Sequence, residues 1–432
     1  MQTHFSPAQL SDPKIQEAND ILRKCVHCGF CTATCPTFVQ TGDERDSPRG
    51  RIWLMRELLE SPETVSKDTR HHLDRCLGCQ SCMTTCPSGV DYIHLLDIGR
   101  EKMDMAAPRG FGDKLIRRML GIIIPYAGRF HMMMRFAGLG RLFAPILPRQ
   151  LRAALDKLPQ TLPRLDTIGS ENAVFPANEN RPIKRVVLLA GCAQRALDPD
   201  INLSTIRVLN RLGVEVIVRE QAHCCGALTH HIGETESALK TIRLAIDAWD
   251  EEINGQGVDA IIANASGCGT MVKDYGHVMA HDPAYAAKAK HVSALCKDVS
   301  EIIDEIGIDD IIKPVKDGSL PVIAYHSACS LQHGQKIHDL PLSLLRRAGY
   351  DVRQPVNGHL CCGSAGVYNI LQPDMADSLK ARKQDSLAST GADYVAAGNI
   401  GCIAQLDDSA LPVRHTVQFI DWASGGPKPS ND

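Results

Sequence analysis

The chain has 432 residues, more than one simple hydrophobic core organises, so two to four domains are expected. A net charge of −3 with 22% charged residues is typical of an ordinary globular protein and argues against a general nucleic-acid binder. The first residues lack a basic start followed by an apolar run, and no uncharged apolar stretch reaches the ~18 residues of a membrane span. Neither a secretory signal nor a transmembrane helix is therefore predicted.

The 17 cysteines are the unusual feature of the composition. Disulfide frameworks are typical of small secreted domains, whereas this chain is large, has no recognisable export signal and has an odd number of thiols. We therefore expect a reducing compartment, the cytoplasm, in which thiolates bind metal.

Two segments near the N-terminus, CVHCGFCTATCP and CLGCQSCMTTCP, share the pattern C-x2-C-x2-C-x3-C-P. This is the spacing of bacterial ferredoxins, in which three cysteines of a motif bind one [4Fe–4S] cluster and the fourth binds the other cluster. A pair of structural zinc sites is the alternative, and it is disfavoured because zinc usually takes paired C-x2-C hooks. The predicted ligand sets are Cys25, Cys28, Cys31 and Cys86 for the first cluster, and Cys76, Cys79, Cys82 and Cys35 for the second.

The residues between the two motifs have the apolar periodicity of helices. Ser47 is a cap candidate for one helix, and Ser61 is expected to open a second helix that carries His71 and His72, both interpreted as solvent-facing. The two clusters are therefore expected in a helical domain, residues 1–107. It resembles the ferredoxin-like half of succinate dehydrogenase iron–sulfur subunits.

The segment 108–180 combines dense apolar residues with many cations. It is predicted to form two or three short helices, interrupted at Pro125 and Gly138, and then a linker. Two explanations stay open: a connector that packs against other domains, and an element within residues 109–152 that contacts a membrane surface or a partner. The residues expected to contact lipid are Ile116, Leu120, Ile122, Ile123, Ile124, Phe130 and Phe136, with Arg117, Arg118, Arg129, Arg135 and Arg141.

The second half of the chain contains a repeat. VVLLAGC and VIAYHSAC each have the pattern of a buried strand followed by a cysteine, and the triplet CCG occurs after a second strand in each copy. Strands that alternate with helices predict two α/β domains with small parallel sheets, residues 181–312 and 313–432. Ligands collect at the carboxyl ends of parallel strands, so the thiols of each copy are expected to converge. The two sets are Cys192, Cys224, Cys225 and Cys268, and Cys329, Cys361, Cys362 and Cys402.

Each CCG triplet places a glycine, Gly226 or Gly363, after two adjacent thiols, which frees the backbone there. The pattern resembles the cysteine-rich CCG domain of heterodisulfide reductase B subunits, and this resemblance implies an unusual, non-cubane iron–sulfur cluster. The chain departs from that family at Ala265 and Asn399, where the first cysteine of a C-x2-C pair is missing. Buried thiols without metal are the alternative. Cys296 matches nothing in the repeat and is interpreted as an ordinary thiol.

The layout of two four-cysteine motifs followed by two CCG domains resembles a family of iron–sulfur electron-transfer subunits. Its members serve glycolate oxidase, anaerobic glycerol-3-phosphate dehydrogenase and a lactate-utilisation complex. ERDSPRGRIWLMRE, NASGCG and GNIGC are most similar to the glycolate oxidase members. The resemblance implies partner subunits that bind FAD and oxidise a 2-hydroxy acid, while this chain passes the electrons singly towards a quinone-type acceptor.

No dinucleotide-binding G-x-G-x-x-G or phosphate-binding P-loop motif is found, so no catalytic residue is assigned and the chain is not expected to be catalytic alone. We expect a cytoplasmic protein that is peripheral on the inner face of the cytoplasmic membrane. The alternatives are the equivalent subunit of a glycerol-3-phosphate or lactate dehydrogenase complex, a heterodisulfide reductase-like catalyst, and a structural scaffold. The missing C-x2-C cysteines argue against direct catalysis.

Overall fold

The structure is a computed structural model that describes residues 1–142, 144–158, 161–178, 182–313, 320–408 and 410–429. The chain divides into two compact units. We call them the helical unit, Met1–Arg118 with His359–Lys383, and the sheet unit, Met119–Gly358 with Gln384–Asp432. The domain boundaries at residues 107, 180 and 312 stay predictions, and residues 179–181 and 314–319, which adjoin two of them, lie outside the described residues.

The N-terminal part of the helical unit is built from short helices joined by tight turns. They are α1 Pro7–Leu10, α2 Pro13–Lys24, α3 Pro36–Thr41, α4 Pro48–Glu60, α5 Lys67–Asp74, α6 Ser81–Thr85, α7 Tyr92–Ala106 and α8 Phe111–Ile123, whose last residues belong to the sheet unit. Three 3₁₀ turns lie between them at Phe30–Thr32, Glu44–Asp46 and Pro62–Thr64. The expected helical architecture of this part is confirmed.

Helix α4 begins where the sequence predicted, because Ser47 Oγ accepts a hydrogen bond from the backbone N–H of Gly50 at 2.9 Å. The predicted start of the following helix at Ser61 is wrong. Pro62–Thr64 forms only a 3₁₀ turn, and Ser66 caps α5 instead by accepting from the N–H of Thr69. The interpretation of His72 as solvent-facing is also wrong, because this side chain is buried on α5.

The core of the helical unit depends on two close approaches made by glycines. A Cβ at Gly99 of α7 would lie 2.7 Å from Sδ of Met55, so α4 and α7 pack with no room for a larger residue. A Cβ at Gly50 would lie 2.0 Å from the carbonyl oxygen of Glu44, so the turn Glu44–Asp46 rests directly on the first turn of α4. Leucines and methionines of α2, α4 and α7 fill the space around these contacts.

The first repeat, in the sheet unit, forms a five-stranded sheet of order β1-β3-β2-β4-β5. Its strands are β1 Ala173–Phe175, β2 Lys184–Leu189, β3 Val214–Val218, β4 Ala260–Ala263 and β5 Cys296–Asp298. The pairings among β2, β3, β4 and β5 are parallel, which confirms the predicted parallel sheet, and β1 adds an antiparallel edge that the sequence did not predict. The helices of this part are α9 Ala127–Leu142, α10 Arg149–Asp156, α11 Ala193–Leu197, α12 Asp200–Arg211, α13 Ala227–His231, α14 Thr235–Asn254, α15 Ser266–Lys273, α16 Tyr275–Val278, α17 Ala286–Leu295 and α18 Val299–Ile306.

The second repeat forms a four-stranded, all-parallel sheet of order β7-β6-β8-β9. Its strands are β6 Ile323–His326, β7 Val352–Arg353, β8 Tyr394–Ala397 and β9 Val413–His415. Its helices are α19 Leu340–Arg347, α20 Tyr368–Leu371, α21 Pro373–Ala388, α22 Ile400–Leu406 and α23 Thr416–Ala423. The strands lie in the sheet unit, whereas α20 and the CCG loop before it belong to the helical unit.

Within the sheet unit, a buried carboxylate joins the two repeats. Asp421 of α23 is 1% exposed and accepts from Arg207 at 2.6 Å and from Arg211 at 2.5 Å, both on α12 of the first repeat. A buried acid with two arginine partners keeps its charge satisfied, so this contact favours one arrangement of the repeats.

The segment 109–152 forms helices, but several of its residues are not available to lipid, which corrects the predicted contact set. Arg117 is buried and pairs with Asp113 at 3.1 Å and with Asp74 at 3.6 Å. Ile124 and Phe130 are buried as well. The apolar residues that are exposed on α8 are Phe111, Leu115, Met119 and Ile122. Within the described ranges, no helix is both long enough and apolar enough to cross a membrane.

The contact at Gly50 can be tested by substitution. Gly50→Ala places a methyl group against the Glu44 carbonyl, so we expect a loss of about 1–3 kcal/mol in the free energy of unfolding, the usual range for overpacking. Gly112→Ala on α8 is the control, since nothing lies within 4 Å of its added Cβ and alanine favours a helix by up to ~1 kcal/mol. Anaerobic thermal unfolding followed by circular dichroism measures both variants. Equal melting temperatures for the two would contradict the expectation.

Candidate metal centres

A cavity in the helical unit is bordered by all four cysteines of the first predicted ligand set. Cys25 ends α2, Cys31 lies in the turn Phe30–Thr32, Cys86 ends α6, and Cys28 lies in the loop between the first two. Burial raises the pKa of Cys31 to about 11, and the neighbouring Cys25 and Cys86 contribute to the rise. Sulfurs from both four-cysteine motifs therefore share one site.

The four sulfurs of the second predicted set also lie near one another. Burial raises the pKa of Cys82 well above its ordinary value, with further contributions from Cys79, Cys76 and Cys35. Cys35 comes from the first motif and the other three come from the second, so the fourth cysteine of each motif lies with the other motif's three. This grouping is the one that cross-ligation of two clusters requires.

Hydrogen-bonding groups surround the sulfurs of the second set. Cys76 Sγ lies 3.6 Å from the hydroxyl of the buried Tyr92 and 3.5 Å from the N–H of Gly78. Cys35 Sγ lies 3.3 Å from Oγ1 of Thr37. Donors to cluster sulfurs are one of the means by which proteins adjust reduction potential.

The two motif loops adopt the same unusual backbone conformation. The residue before the second cysteine has a positive φ in both motifs, 58° at His27 and 62° at Gly78. The residue after it does as well, 85° at Gly29 and 61° at Gln80. Non-glycine residues rarely adopt this left-handed region, so His27 and Gln80 are held there by their surroundings. The repeated coil presents successive sulfurs to one point, which fits a four-metal cluster and not a pair of separate C-x2-C hooks.

In the first CCG copy the four thiols are neighbours at the carboxyl edge of the sheet. Cys192, at the start of α11, lies beside Cys224, Cys224 lies beside Cys225, and Cys225 lies beside Cys268 of α15. Contact with Cys224 and burial raise the pKa of Cys192 well above its ordinary value. The hydroxyl of Tyr275 donates to the carbonyl of Cys225 at 2.9 Å and fixes the loop. The predicted convergence of this set therefore occurs.

The glycine of each CCG triplet is required by two independent constraints. Gly226 and Gly363 have φ of 79° and 88°, in the left-handed region. A Cβ at Gly363 would also lie 2.5 Å from the carbonyl oxygen of Ala376, and one at Gly226 would lie 3.0 Å from Ile242. The glycine therefore lets each double-cysteine loop turn sharply and pack tightly against a helix.

The four cysteines of the second CCG set are all buried, but they are divided between the units. Cys361 and Cys362 belong to the helical unit, and Cys329 and Cys402 belong to the sheet unit. Within the helical unit, the buried Tyr368 follows the CCG loop and its hydroxyl donates to the carbonyl of Arg75 at 2.9 Å. Burial raises the pKa of this phenol, and both Cys76 and Cys361 add to the rise. The second CCG loop is thus fixed beside the second four-cysteine motif.

Asn399 occupies one of the two positions at which the expected C-x2-C cysteine is missing. Its Nδ2 donates to Cys402 Sγ at 3.5 Å, and its Oδ1 accepts from the N–H of Gly267 at 3.3 Å. The asparagine therefore supports the remaining cysteine of the pair and links the two repeats within the sheet unit. Ala265, at the equivalent position of the first repeat, offers no such group.

Sequence reasoning missed the polar residues that support the sulfur sites. Asp46, Arg51, His72 and Asn399 each have a partner that is distant in sequence, and their identities alone do not distinguish them from surface residues. The S-P-R-G-R segment contained the only available signal, since its glycine indicates a close backbone approach beside two arginines. Cys296 is buried at the start of β5, and burial raises its pKa to about 12.

Comparison with known proteins identifies the matching families. A 4Fe-4S dicluster domain model matches residues 21–90, and a cysteine-rich domain model matches residues 186–273 and 323–407. The glycolate oxidase iron–sulfur subunit of Escherichia coli (strain K12) is 40% identical over 98% of this chain and 99% of its own length. The chain belongs to the family of glycolate oxidase iron–sulfur subunits. As a member of this family it is part of an oxidoreductase complex, and its dicluster domain carries two [4Fe–4S] clusters.

Two more distant relatives define the breadth of the family. The probable glycolate oxidase iron–sulfur subunit of Bacillus subtilis (strain 168) is 28% identical over 89% of this chain and 88% of its own length. Lactate utilization protein A of Bacillus cytotoxicus is 26% identical and covers 51% of this chain, although 90% of its own length is matched. The glycolate oxidase subunits therefore match both repeats, whereas the lactate protein matches about half of the chain.

The two ligand sets can be separated by single substitutions. Cys25→Ser is expected to remove the first cluster and Cys76→Ser the second, with a loss of about four irons in each case, because each cubane cluster depends on four thiolates. Iron and sulfide analysis of anaerobically purified protein, with electron paramagnetic resonance of the reduced state, measures the loss. Cys225→Ala is the control and should leave both cubane signals. Zinc without sulfide in the unaltered protein would contradict the assignment.

Proposed function

We propose that this chain is the electron-transfer subunit of a complex that oxidises glycolate to glyoxylate. The observation that carries the proposal is the set of convergent sulfurs, two groups in the helical unit and one row at a sheet edge, in a chain 40% identical to the Escherichia coli subunit. A [4Fe–4S] cluster accepts and releases one electron at a time, and a flavin reduced by hydride can pass its two electrons singly to such an acceptor. The residues of this chain bind and shield such clusters, and none is assigned to glycolate itself.

The ligand assignment is part of this proposal. Cys25, Cys28, Cys31 and Cys86 hold the first cluster, and Cys35, Cys76, Cys79 and Cys82 hold the second. Thiols must lose their protons to bind iron, and burial raises the pKa of Cys31 and Cys82, so binding and folding are coupled. The helical unit is consequently expected to lose stability when iron is removed.

The CCG cysteines are assigned to a further iron–sulfur group in each copy. For Cys192, Cys224, Cys225 and Cys268 the support is the row of neighbouring sulfurs at the carboxyl edge of the sheet. For Cys329, Cys361, Cys362 and Cys402 the support is the equivalence of the repeats and the same glycine conformation after the double cysteine. With Asn399 and Ala265 in place of cysteine, each copy has four thiols at the repeated positions.

Flavin-binding oxidase subunits are the proposed electron donors, with FAD bound by those partners only, and a quinone is the proposed acceptor. Lactate is the second candidate substrate, because the lactate utilization proteins of Bacillus are 26–27% identical to about half of this chain. Glycolate is preferred, since the relatives that match both repeats are glycolate oxidase subunits.

In this proposal the flavin-binding subunits oxidise the substrate and this chain only transfers electrons. We therefore predict that the isolated chain, with its clusters but without flavin, does not reduce a dye when glycolate is added. Removal of hydride from a C–H bond needs a two-electron acceptor, which this chain lacks. Addition of the flavin-binding subunits should produce glycolate-dependent dye reduction. Activity of the flavin-free chain would contradict the proposal, and a preference of the complete complex for lactate would favour the second candidate.

We also propose that the complex associates peripherally with the inner face of the cytoplasmic membrane, where a quinone is dissolved. The support is the exposed apolar row Phe111, Leu115, Met119 and Ile122, which lies along one face of α8 at spacings of three and four residues. The exposed cations Lys114 and Arg118 lie on the same helix. Arg117 does not contribute, because it pairs with Asp74 and Asp113.

Lys114→Glu with Arg118→Glu tests this role. Each cation near an anionic surface contributes about 1 kcal/mol to binding, so the double reversal should weaken flotation of the assembled complex with anionic vesicles by at least about tenfold. Lys240→Glu with Lys290→Glu is the control, because both lysines are exposed in the sheet unit and the change in net charge is the same. Absent flotation of the unaltered complex, or loss of subunit assembly in the α8 variant, would count against membrane binding.

A further inference from the structure

A fully buried cation lies beside the second four-sulfur set. Arg51 of α4 is 1% exposed, and its Nη1 lies 3.9 Å from Cys35 Sγ. The rest of the guanidinium is held by hydrogen bonds: Nε donates to the carbonyl of His72 at 2.7 Å and Nη2 donates to Oγ1 of Thr37 at 3.0 Å. Arginine is effectively always protonated in proteins, so the group keeps its charge at any physiological pH.

The counter-ion of Arg51 is shared, so its positive charge is not fully neutralised. Asp46 is completely buried. It accepts a hydrogen bond from Arg51 at 3.3 Å, forms an ion pair with Arg75 at 2.7 Å and lies 2.9 Å from Nδ1 of His72. One carboxylate thus faces two guanidinium groups. The charges of Arg51, Arg75 and Asp46 therefore leave an excess of one positive charge. The Arg51 share of it is out of contact with water, and charges interact strongly in such a medium of low polarity.

An arginine also lies beside the first sulfur set. It is Arg49, two residues before Arg51 on the same helix. The Arg49 side chain is 34% exposed, and its Nε pairs with Oε1 of Glu44 at 2.7 Å. Glu44, Cys31 and Cys28 raise the pKa of Arg49, so this cation faces the first set. Because it is neutralised by its own carboxylate and screened by solvent, it affects that set much less than Arg51 affects the second.

We propose that Arg51 is a positioning residue of the second centre, and that its buried charge raises the reduction potential of a cluster bound by Cys35, Cys76, Cys79 and Cys82 above that of the first. Reduction adds one negative charge to the sulfur site, and a fixed cation in a medium of low polarity stabilises that charge. The added electron is therefore held preferentially at the second site, which is also the site beside the CCG loop of Tyr368. The inference rests on the ligand sets proposed above.

The experiment is a redox titration of the full chain, purified anaerobically and followed by electron paramagnetic resonance. Arg51→Gln should shift the one-electron equilibrium of the second cluster at least tenfold against reduction, which corresponds to a fall of about 59 mV in midpoint potential. Asp46→Asn should shift the same midpoint upwards, because it removes the anion that offsets Arg51 and Arg75. Arg49→Gln is the matched control, since it removes a cation from the same helix turn and should leave the second midpoint unchanged.

The opposite signs separate an electrostatic role from a structural one. If the two substitutions merely loosened the site, the midpoint potential of the second cluster would shift in the same direction in Arg51→Gln and in Asp46→Asn. That result would overturn the proposal, and so would an unchanged midpoint in both variants. If Arg51→Gln fails to retain the second cluster, the direction of the Asp46→Asn shift decides: a rise supports the proposal and a fall or no change refutes it. Cys76→Ser identifies the signal independently, so an error in the ligand sets would be recognised by a surviving second signal.

Discussion

The convergence of buried thiols from segments far apart in sequence is the constraint on which the rest of the structure depends. In the helical unit, Cys35 lies near Cys82 of the second motif, and Cys86 lies near Cys31 of the first. The two loops share positive φ angles at equivalent positions, including the non-glycine residues His27 and Gln80, which their surroundings hold in this conformation. Burial makes the thiolates costly without metal, so the fold and its clusters are interdependent.

The start of helix α4 lies beside both sulfur sets of the helical unit. Its first turn accepts the turn Glu44–Asp46 through the missing side chain of Gly50, and that contact brings Asp46 under Arg51. Two residues earlier, Arg49 faces the other sulfur set at the surface. A single helix start therefore gives the two sites different electrostatic surroundings, although their backbone loops are nearly equivalent.

The two CCG repeats have the same fold but differ at one position of the sulfur site. Both copies keep the parallel sheet and the left-handed glycine, because loop direction and packing depend on them. They differ at the position of the missing cysteine, where the first repeat has the inert Ala265 and the second has Asn399, a donor to Cys402. The repeats are joined within the sheet unit by polar contacts such as those of Asp421, which are specific in direction and favour one pairing.

The sequence by itself determined the metal-binding character of the chain, the two four-cysteine loops, the parallel α/β repeats and the cap of α4 at Ser47. These features depend on the spacing of residues within short segments, which can be read directly from the sequence. Only the tertiary structure decided that Arg51, Asp46 and His72 are buried, that Ser66 and not Ser61 starts α5, that Arg117 faces Asp74 instead of a membrane, and that Asn399 supports Cys402. The physical reason is that burial of a charge or a polar group depends on partners brought together from distant segments, and residue types along one segment do not reveal those partners.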